Sequence, residues 1–353
     1  MKRFFSFALV WVLTAVLCAG PVGCGNGGSA DAEPSNPGAS AESGTSEEQT
    51  APAGQPEPKE TVRLGGLKGP TAMGLVQLLE SAEQGTALND YEFTMAPSAD
   101  GLNPKLVQGE LDIAAVPVNL AAVLYNNTQG KLKVLAVNTL GVLYIIETGE
   151  SVRSAADLKG KTVYATGKDA VPEFTFKYIL QANGLDPETD LTIEWKTEPT
   201  EVVAQLGQSG GIGLLPQPFV TVAQSSLPDL RIALDLTEEW GKLGNAGTLV
   251  TGVAVVRTEF AEERPEAVRR FLDDYKGSTD YINAHVEESA QWVEKYDIIN
   301  ANVAAKAIPY CNIVCLEGDE MKRAVKGYLE ALYEQNPRSV GGALPDDAFY
   351  YQR

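Results

Sequence analysis

The stretch VRLGGLKGPTAMGLVQLL, residues 62–79, combines a short strand, a glycine loop and a helix. The apolar residues after the loop recur at the i, i+3, i+4 and i+7 spacing of an amphipathic helix, namely Ala72, Leu75, Val76 and Leu79. Pro70 suits the first helical turn, where its missing N–H costs nothing. Because a glycine loop before a helix offers free N–H groups and the positive end of the helix dipole, we predict that LKGPT contacts a ligand.

A second copy of this pattern begins about a hundred residues later. KTVYATGKDAVPEFTFKYILQANG, residues 161–184, repeats the strand, the Gly/Lys loop, the proline and the helix, with Lys168 matching Lys68. Two further pairs follow in the same order, 111–126 with 210–224 and 131–140 with 229–238. The repeated order of strands and helices predicts an α/β protein with two lobes, each a sheet with helices on both faces. A ligand cleft is expected between the lobes, where helix N-termini converge.

The amino-terminal segment has the pattern of a secretory leader followed by a tether. Residues 1–23 join a cationic start to an apolar run and read as a signal peptide. Gly23 and Cys24 resemble a lipobox in which Cys24 becomes lipidated, although Pro21 replaces the usual aliphatic residue; a plain cleaved signal or an uncleaved anchor is the alternative. Residues 24–60 contain no Leu, Ile, Val or aromatic residue, which predicts a disordered linker. The expected location is extracytoplasmic, at the cell membrane, through this lipid anchor.

Charge and the inventory of reactive residues narrow the function. Without Lys2 and Arg3 the chain has 26 basic and 47 acidic residues, a net charge of −21, which argues against a nucleic-acid partner. The one histidine, His285, lies among polar neighbours and is expected at the surface. No HExxH or GxxxxGK[ST] motif occurs, and with a single histidine we expect no catalytic residue, metal or cofactor. Cys311 and Cys315 could form a disulfide only across a turn, and both alternatives stay open.

Two stretches resemble a known family. LYIIETGESVRSAADLKGKTVYATGKDAVPEF, residues 143–174, resembles the crossover of type II periplasmic-type substrate-binding proteins, with DLKGK before the first strand of the second lobe. TEFAEERPEAVRRFLDDYKGSTDYIN, residues 258–283, resembles the helix after the return crossing in the nitrate/sulfonate/taurine branch, which includes thiamin-precursor binders. The resemblance implies a monomeric lipoprotein that delivers a small molecule to an ABC-type import permease.

The same resemblance implies where the lobes begin and end. The first lobe would comprise 61–145 and 253–353, and the second 146–252. Residues Tyr144–Glu147 and Gly252–Val256 would form the hinge strands, with Gly149 and Gly252 as candidate hinge residues or merely loop glycines. Binding would then proceed by closure of the lobes around the ligand.

Residues expected to line the cleft come from both loops and from two proline turns. In the first lobe they are Lys68, Gly69, Thr71 and Asn119, and in the second Thr166, Gly167, Lys168, Gln217 and Phe219. The lysines favour an anionic ligand, whereas Tyr144 and Trp240 could stack on a heteroaromatic ring. The alternatives are solvated loop lysines, and capping or turn roles for Thr71, Asn119 and Gln217.

Two other function classes stay open at this point. An enzyme on the same fold, similar to chorismate dehydratases, would need acid–base residues that these loops lack. A ligand sensor that signals to a membrane receptor is compatible with every feature above.

Overall fold

The computed structural model describes residues 58–97, 99–244 and 247–353. These residues belong to one unit, Pro56–Arg353. The predicted signal peptide, Cys24 and the linker as far as residue 57 lie outside the described residues. Glu60, at the predicted end of the linker, already contacts the folded unit, because its carbonyl oxygen accepts from Asp90 N at 2.9 Å and its carboxylate pairs with Arg264 at 2.7 Å.

Eleven strands lie in the described part of the chain. They are β1 (Thr61–Leu67), β2 (Asp90–Ala96), β3 (Ile113–Pro117), β4 (Leu132–Leu140), β5 (Leu143–Thr148), β6 (Thr162–Ala165), β7 (Thr192–Trp195), β8 (Gly211–Pro216), β9 (Arg231–Asp235), β10 (Val250–Arg257) and β11 (Ile313–Leu316).

Helices connect and cover these strands. They are α1 (Pro70–Met73), α2 (Val76–Glu83), α3 (Ala99–Val107), α4 (Val118–Thr128), α5 (Val171–Ala182), α6 (Pro199–Ser209), α7 (Phe219–Ser226), α8 (Leu236–Gly241), α9 (Thr258–Glu263), α10 (Pro265–Ala284), α11 (Val286–Lys295), α12 (Ala301–Ala307) and α13 (Gly318–Gln335). Short 3-10 turns occupy Ala155–Leu158, Ile308–Tyr310, Pro337–Val340 and Asp347–Phe349.

The strands form two sheets with one shared topology. The first sheet has the order β11-β4-β10-β3-β1-β2 and the second the order β7-β6-β8-β5-β9. In the first, β1 runs parallel to β2 and β3, and β10 runs antiparallel to β3 and β4. In the second, β6 runs parallel to β7 and β8, and β5 runs antiparallel to β8 and β9. The predicted α/β class with two sheets is confirmed, and β11 is an extra strand of the first sheet.

The chain changes sheet twice. It leaves the first sheet after Leu140 and enters the second at Leu143, then returns between α8 and β10. The predicted hinge strands, 144–147 and 252–256, lie inside β5 and β10, each flanked on both sides by strands of one sheet. The first change of sheet therefore falls at Gly141 and Val142. The lobe boundaries at 145/146 and 252/253 stay predictions, since strand membership alone does not delimit a lobe.

Apolar runs explain why these strands are interior. In β3 four consecutive residues, Ile113–Val116, are fully or almost fully buried, as is typical of a strand covered on both faces. Helix α13 links the two halves of the unit, because its Tyr328 hydroxyl bonds the Thr175 hydroxyl of α5 at 2.6 Å in the interior. No helix of the described part is both long and apolar enough to cross a membrane.

Candidate ligand-binding site

The loop LKGPT, residues 67–71, lies at the carboxyl end of β1. Gly69 has φ 140°, a conformation that side-chain-bearing residues rarely adopt, and precedes α1. Thr71 is buried; its hydroxyl donates to Leu67 O at 3.4 Å, and its carbonyl oxygen accepts from Asn138 Nδ2 at 3.4 Å. The loop is thereby attached to the end of β4.

Four neutral polar side chains gather at this carboxyl edge of the first sheet. Asn138 and Thr139 lie near the end of β4 at 1% and 0% exposure, and Thr251 precedes Gly252, which pairs with Thr139 and with Pro117. Asn119 follows Pro117 by two residues, at the start of α4. We call Asn119, Asn138, Thr139 and Thr251 the edge cluster.

Each member of the edge cluster has a buried oxygen without a hydrogen-bond partner among the described residues. These atoms are Asn119 Oδ1, Asn138 Oδ1, Thr139 Oγ1 and Thr251 Oγ1. A buried polar atom left unpaired costs about 1–3 kcal/mol, and most such atoms in folded proteins are paired. A ligand that supplies partners would recover that free energy.

Gly252 lets the side chains of Asn138 and Thr71 lie against the backbone of β10. A Cβ at this position would lie 2.4 Å from Asn138 Oδ1 and 2.5 Å from Thr71 Cγ2. Close packing is therefore sufficient to explain a glycine at position 252, and it is an alternative to the predicted hinge role. The prediction from sequence missed Asn138, Thr139 and Thr251. The signal available was a polar Asn-Thr pair that interrupts the apolar run VLAVNTLG.

The two lysines that were predicted to contact the ligand, Lys68 and Lys168, have exposed side chains. Lys68 Nζ is 3.2 Å from Asp297 Oδ2, and the two side chains are 42% and 98% exposed, so this ion pair contributes at most about 1 kcal/mol. Lys168 is exposed and has no ion-pair partner among the described residues. Neither ammonium group is part of the edge cluster.

The predicted residues of the second lobe gather at the matching edge of the second sheet. Thr166 and Gly167 follow β6, and Gly167 has φ 82° with Pro172 close against it. Gln217 is 1% exposed; its N–H donates to Val142 O at 2.9 Å and its Oε1 accepts from the Thr221 hydroxyl at 2.9 Å. Phe219 is half-buried at the first turn of α7. Here the polar group of Gln217 already has a partner inside the protein.

The two aromatic candidates are buried in the interior. Tyr144 donates its hydroxyl to Tyr310 O at 3.4 Å, and burial raises the pKa of Tyr144 above its ordinary value. Trp240 is 1% exposed, with its ring centroid 4.8 Å from that of Tyr178 and 5.2 Å from that of Tyr328. Because protein encloses the Trp240 ring, we do not include Trp240 among the residues proposed to contact a ligand.

Residues with reactive side chains are placed away from the edge cluster or are inert. His285 is exposed, as predicted, and stacks on Tyr281 with ring centroids 4.0 Å apart. Cys311 and Cys315 are free thiols, and burial raises the pKa of both to about 12, so neither is a reactive thiolate near neutral pH. The described residues contain no group of three His, Cys, Asp or Glu that could hold a metal ion.

A cavity of about 540 Å³ lies at the opposite, amino-terminal edge of the first sheet. Charged side chains line it, and Arg257 there pairs with Glu259 at 3.2 Å. The cavity lies at the start of β4 and the end of β10, whereas the edge cluster lies at the other ends of these strands. We therefore do not place the predicted ligand in it.

Comparison with known proteins agrees with this architecture. Residues 132–289 match the family model described as NMT1/THI5 like. No curated protein matches the chain in sequence.

Several solved structures share the fold. An ABC transporter structure from Parabacteroides distasonis is 24% identical, with a TM-score of 0.70 over 84% of this chain and 100% of the other. The periplasmic aliphatic sulphonate binding protein SsuA from Escherichia coli is 17% identical, with a TM-score of 0.68 over 84% and 93%. The periplasmic nitrate-binding protein NrtA from Synechocystis PCC 6803 is 17% identical, with a TM-score of 0.52 over 72% and 69%. Residues 132–289 thus resemble the NMT1/THI5 like family, and the described chain shares the two-lobed fold of these solved binding proteins.

Proposed function

We propose that this protein is a monomeric, extracytoplasmic solute-binding lipoprotein. It captures a small oxyanion-bearing molecule between its lobes and delivers it to an ABC-type import permease. The observation that carries the proposal is the edge cluster, in which four buried polar oxygens have no partner within the described part of the chain, at the carboxyl edge of the first sheet.

The chemistry of the edge cluster favours an oxyanion bound by neutral donors. The hydroxyls of Thr139 and Thr251 can donate, and the amides of Asn119 and Asn138 can turn either a donor or an acceptor to a ligand. Asn119 also lies in the first turn of the 11-residue helix α4, where unpaired N–H groups and the helix dipole favour negative charge. The structural neighbours described as sulphonate-binding and nitrate-binding proteins support the same class of ligand.

The second lobe would complete the site by closure. Thr166, Gly167, Lys168, Gln217 and Phe219 lie at the matching edge of the second sheet and would reach a ligand held by the edge cluster. Contacts from both edges would favour the closed arrangement, which the permease would recognise. Asn and Thr side chains do not titrate near neutral pH, so the edge cluster offers no general acid or base and supports binding without chemistry.

A thermal-shift screen followed by calorimetry tests the proposal. The compounds are ethanesulfonate, nitrate, bicarbonate, a thiamin-precursor pyrimidine and benzoate. We expect ethanesulfonate or nitrate to raise the Tm, because a ligand that binds only the folded state stabilises it. Thr139→Val should weaken that binding at least tenfold. Thr128→Val, at the far end of α4 from Asn119, is the matched control and should bind like the parent. The proposal fails if none of the oxyanions binds, or if Thr139→Val binds like the parent.

The proposed anchor has a separate test. Cys24→Ala should abolish labelling by a radioactive fatty acid and release the protein from the membrane fraction. Cys18→Ala, within the apolar run of the signal peptide, should leave both unchanged. Equal labelling of the Cys24 variant would contradict the proposed lipidation.

A further inference from the structure

The helix that follows the LKGPT loop is interrupted by a side chain from a distant part of the chain. Between α1 and α2, Gly74 and Leu75 keep nearly helical dihedral angles, with φ −62° and −94°. In an unbroken α-helix the N–H of Leu78 would bond the carbonyl oxygen of Gly74. Here Leu78 N donates to Ser278 Oγ at 3.0 Å, and Ser278 Oγ donates to Gly74 O at 2.8 Å. The hydroxyl of Ser278 therefore replaces one hydrogen bond of the helix.

The surroundings leave this hydroxyl little freedom. Ser278 is 0% exposed and lies in α10. A Cβ at Gly74 would lie 2.7 Å from Tyr275 Oη and 3.2 Å from Ile313 Cγ2, so the glycine allows α10 to approach this closely. A side chain inserted into the helical ladder is a recognised cause of a kink or a break. The position of α1 relative to α2 is thus set by α10.

The short helix α1 connects this break to the candidate site. It comprises only Pro70–Met73, and the carbonyl oxygen of its Thr71 accepts from Asn138 of the edge cluster. Gly69 and Lys68 precede it directly. A change in the direction of α1 would displace Thr71 and the loop 68–71 together.

We propose that Ser278 is a positioning residue of the ligand site. Its hydroxyl, inserted between Gly74 and Leu78, holds the first turn after the loop in the orientation in which Thr71 meets Asn138. The effect on affinity rests on the function proposed above, whereas the effect on the local backbone does not. Ser278 itself touches no ligand in this proposal.

Hydrogen–deuterium exchange on Ser278→Ala tests the backbone effect without a ligand. We expect exchange in peptides that cover 68–78 to accelerate at least tenfold, because Leu78 N loses its partner. Exchange in α11, residues 286–295, should stay as in the parent. Ser278→Cys fills nearly the same volume with a much weaker hydrogen-bonding group. Its exchange rate at 68–78 should lie between those of the parent and of Ser278→Ala.

Ser289→Ala is the matched control. Ser289 is also a serine with 0% exposure, in the neighbouring helix α11, but its Oγ has no partner in the described structure. Its removal should leave exchange at 68–78 unchanged. For the binding arm, calorimetry with ethanesulfonate and nitrate should show at least fivefold weaker affinity for Ser278→Ala and parent affinity for Ser289→Ala.

Several results would overturn the proposal. The proposal is wrong if Ser278→Ala exchanges at 68–78 as slowly as the parent. It is also wrong if exchange accelerates evenly over the whole chain, because Ser278 would then be a general core residue. Parent affinity of Ser278→Ala for an oxyanion that the parent binds would also refute it. If neither oxyanion binds the parent while exchange at 68–78 accelerates locally, the proposed ligand class fails and the positioning of the turn by Ser278 stands.

Discussion

The two sheets have the same five-strand order, yet their carboxyl edges differ. At the first edge, Asn138 and Thr139 have buried oxygens to which no described residue donates a hydrogen bond. At the second edge, Gln217 follows β8 and its side-chain oxygen already accepts from Thr221, but Thr237, which follows β9, the counterpart of β4, also has a buried Oγ1 without a partner among the described residues. Common topology therefore brings polar residues to both edges, but four buried oxygens without partners among the described residues lie at the first edge and one, Thr237 Oγ1, at the second. We interpret the first lobe as the one that selects the ligand and the second as the one that closes over it.

The opposite edges of the two sheets are alike. Asp112 precedes β3 at 2% exposure and pairs with Arg63 of β1. Glu147 of β5, at 3% exposure, pairs with Arg231 of β9 at 2.6 Å. Each sheet thus has a buried acid–arginine pair far from the candidate site.

The largest expected effect tests the junction between the lobes. Trp240→Ala should lower the free energy of unfolding by about 3–5 kcal/mol, because it removes a fully buried indole packed against Tyr178 and Tyr328. Urea denaturation measures this. Trp292→Ala, at a half-buried tryptophan of α11, is the control and should cost less. A stable Trp240 variant that loses only ligand affinity would restore the predicted stacking role of this residue.

The second expected effect concerns the buried acid of the second sheet. Glu147→Gln should cost about 3 kcal/mol at pH 7, because it leaves Arg231 without its charged partner. Burial alone would raise the pKa of Glu147, but hydrogen bonds from Ser151, Val152 and Arg231 outweigh burial and hold it below the ordinary 4.5.

The pH dependence of this effect has a definite sign. With a lowered folded-state pKa, the unfolded state binds more protons, so the stabilisation is complete above the unfolded pKa. It is lost as the pH falls from about 5 through the folded pKa. Urea denaturation between pH 3 and pH 7 should therefore show a weaker pH dependence for Glu147→Gln than for the parent. Identical slopes would contradict this assignment.

The matching lysines give the third prediction. If both act on one anionic ligand, Lys68→Met and Lys168→Met should each weaken binding by about 1–3 kcal/mol, with non-additive loss in the double variant. Calorimetry with ethanesulfonate or nitrate is the measurement, and Lys131→Met, an exposed lysine at the opposite edge, is the control. If Lys68→Met, Lys168→Met and the double variant all bind like the parent, these lysines are solvated loop residues. Recognition of the ligand would then rest on the neutral edge cluster.

The contrast between the carboxyl edges gives the fourth prediction. Thr139→Val should leave the free energy of unfolding unchanged or raise it by about 1 kcal/mol, because an unpaired buried hydroxyl is replaced by a methyl group. Thr221→Val should lower it by about 1 kcal/mol, because Gln217 Oε1 loses the hydroxyl donor and keeps only the longer hydrogen bond from Thr221 N. Chemical denaturation of the two variants side by side should show a loss of stability for Thr221→Val and none for Thr139→Val. Equal losses in both would remove the asymmetry between the lobes.

The smallest expected effect is at the single histidine. His285→Ala should change oxyanion affinity less than about threefold, or about 0.7 kcal/mol, since the ring is exposed and stacks only on Tyr281. Calorimetry on the variant measures this. A larger loss in a variant with parent stability would bring His285 into the binding mechanism.

Periodicity and repetition in the sequence were enough to predict the two sheets. The loops around Lys68 and Lys168 repeat with the strands and helices beside them, and local spacing encodes those elements directly. The position at which the chain changes sheet was harder to predict from the sequence, because the run from Val134 to Ile146 is mostly apolar. Only strand pairing shows that β4 and β5 belong to different sheets.

The sequence by itself determined the α/β class, the repeated order of strands and helices and the loops at the strand ends, since each depends on local spacing. Only the tertiary structure decided which side chains meet. It brought Asn138, Thr139 and Thr251 together through strand pairing between β4 and β10, and it enclosed Trp240 beneath α13. It also placed Ser278 between Gly74 and Leu78, two hundred residues away in the chain. The physical reason is that such contacts depend on long-range packing, for which the local pattern carries no signal.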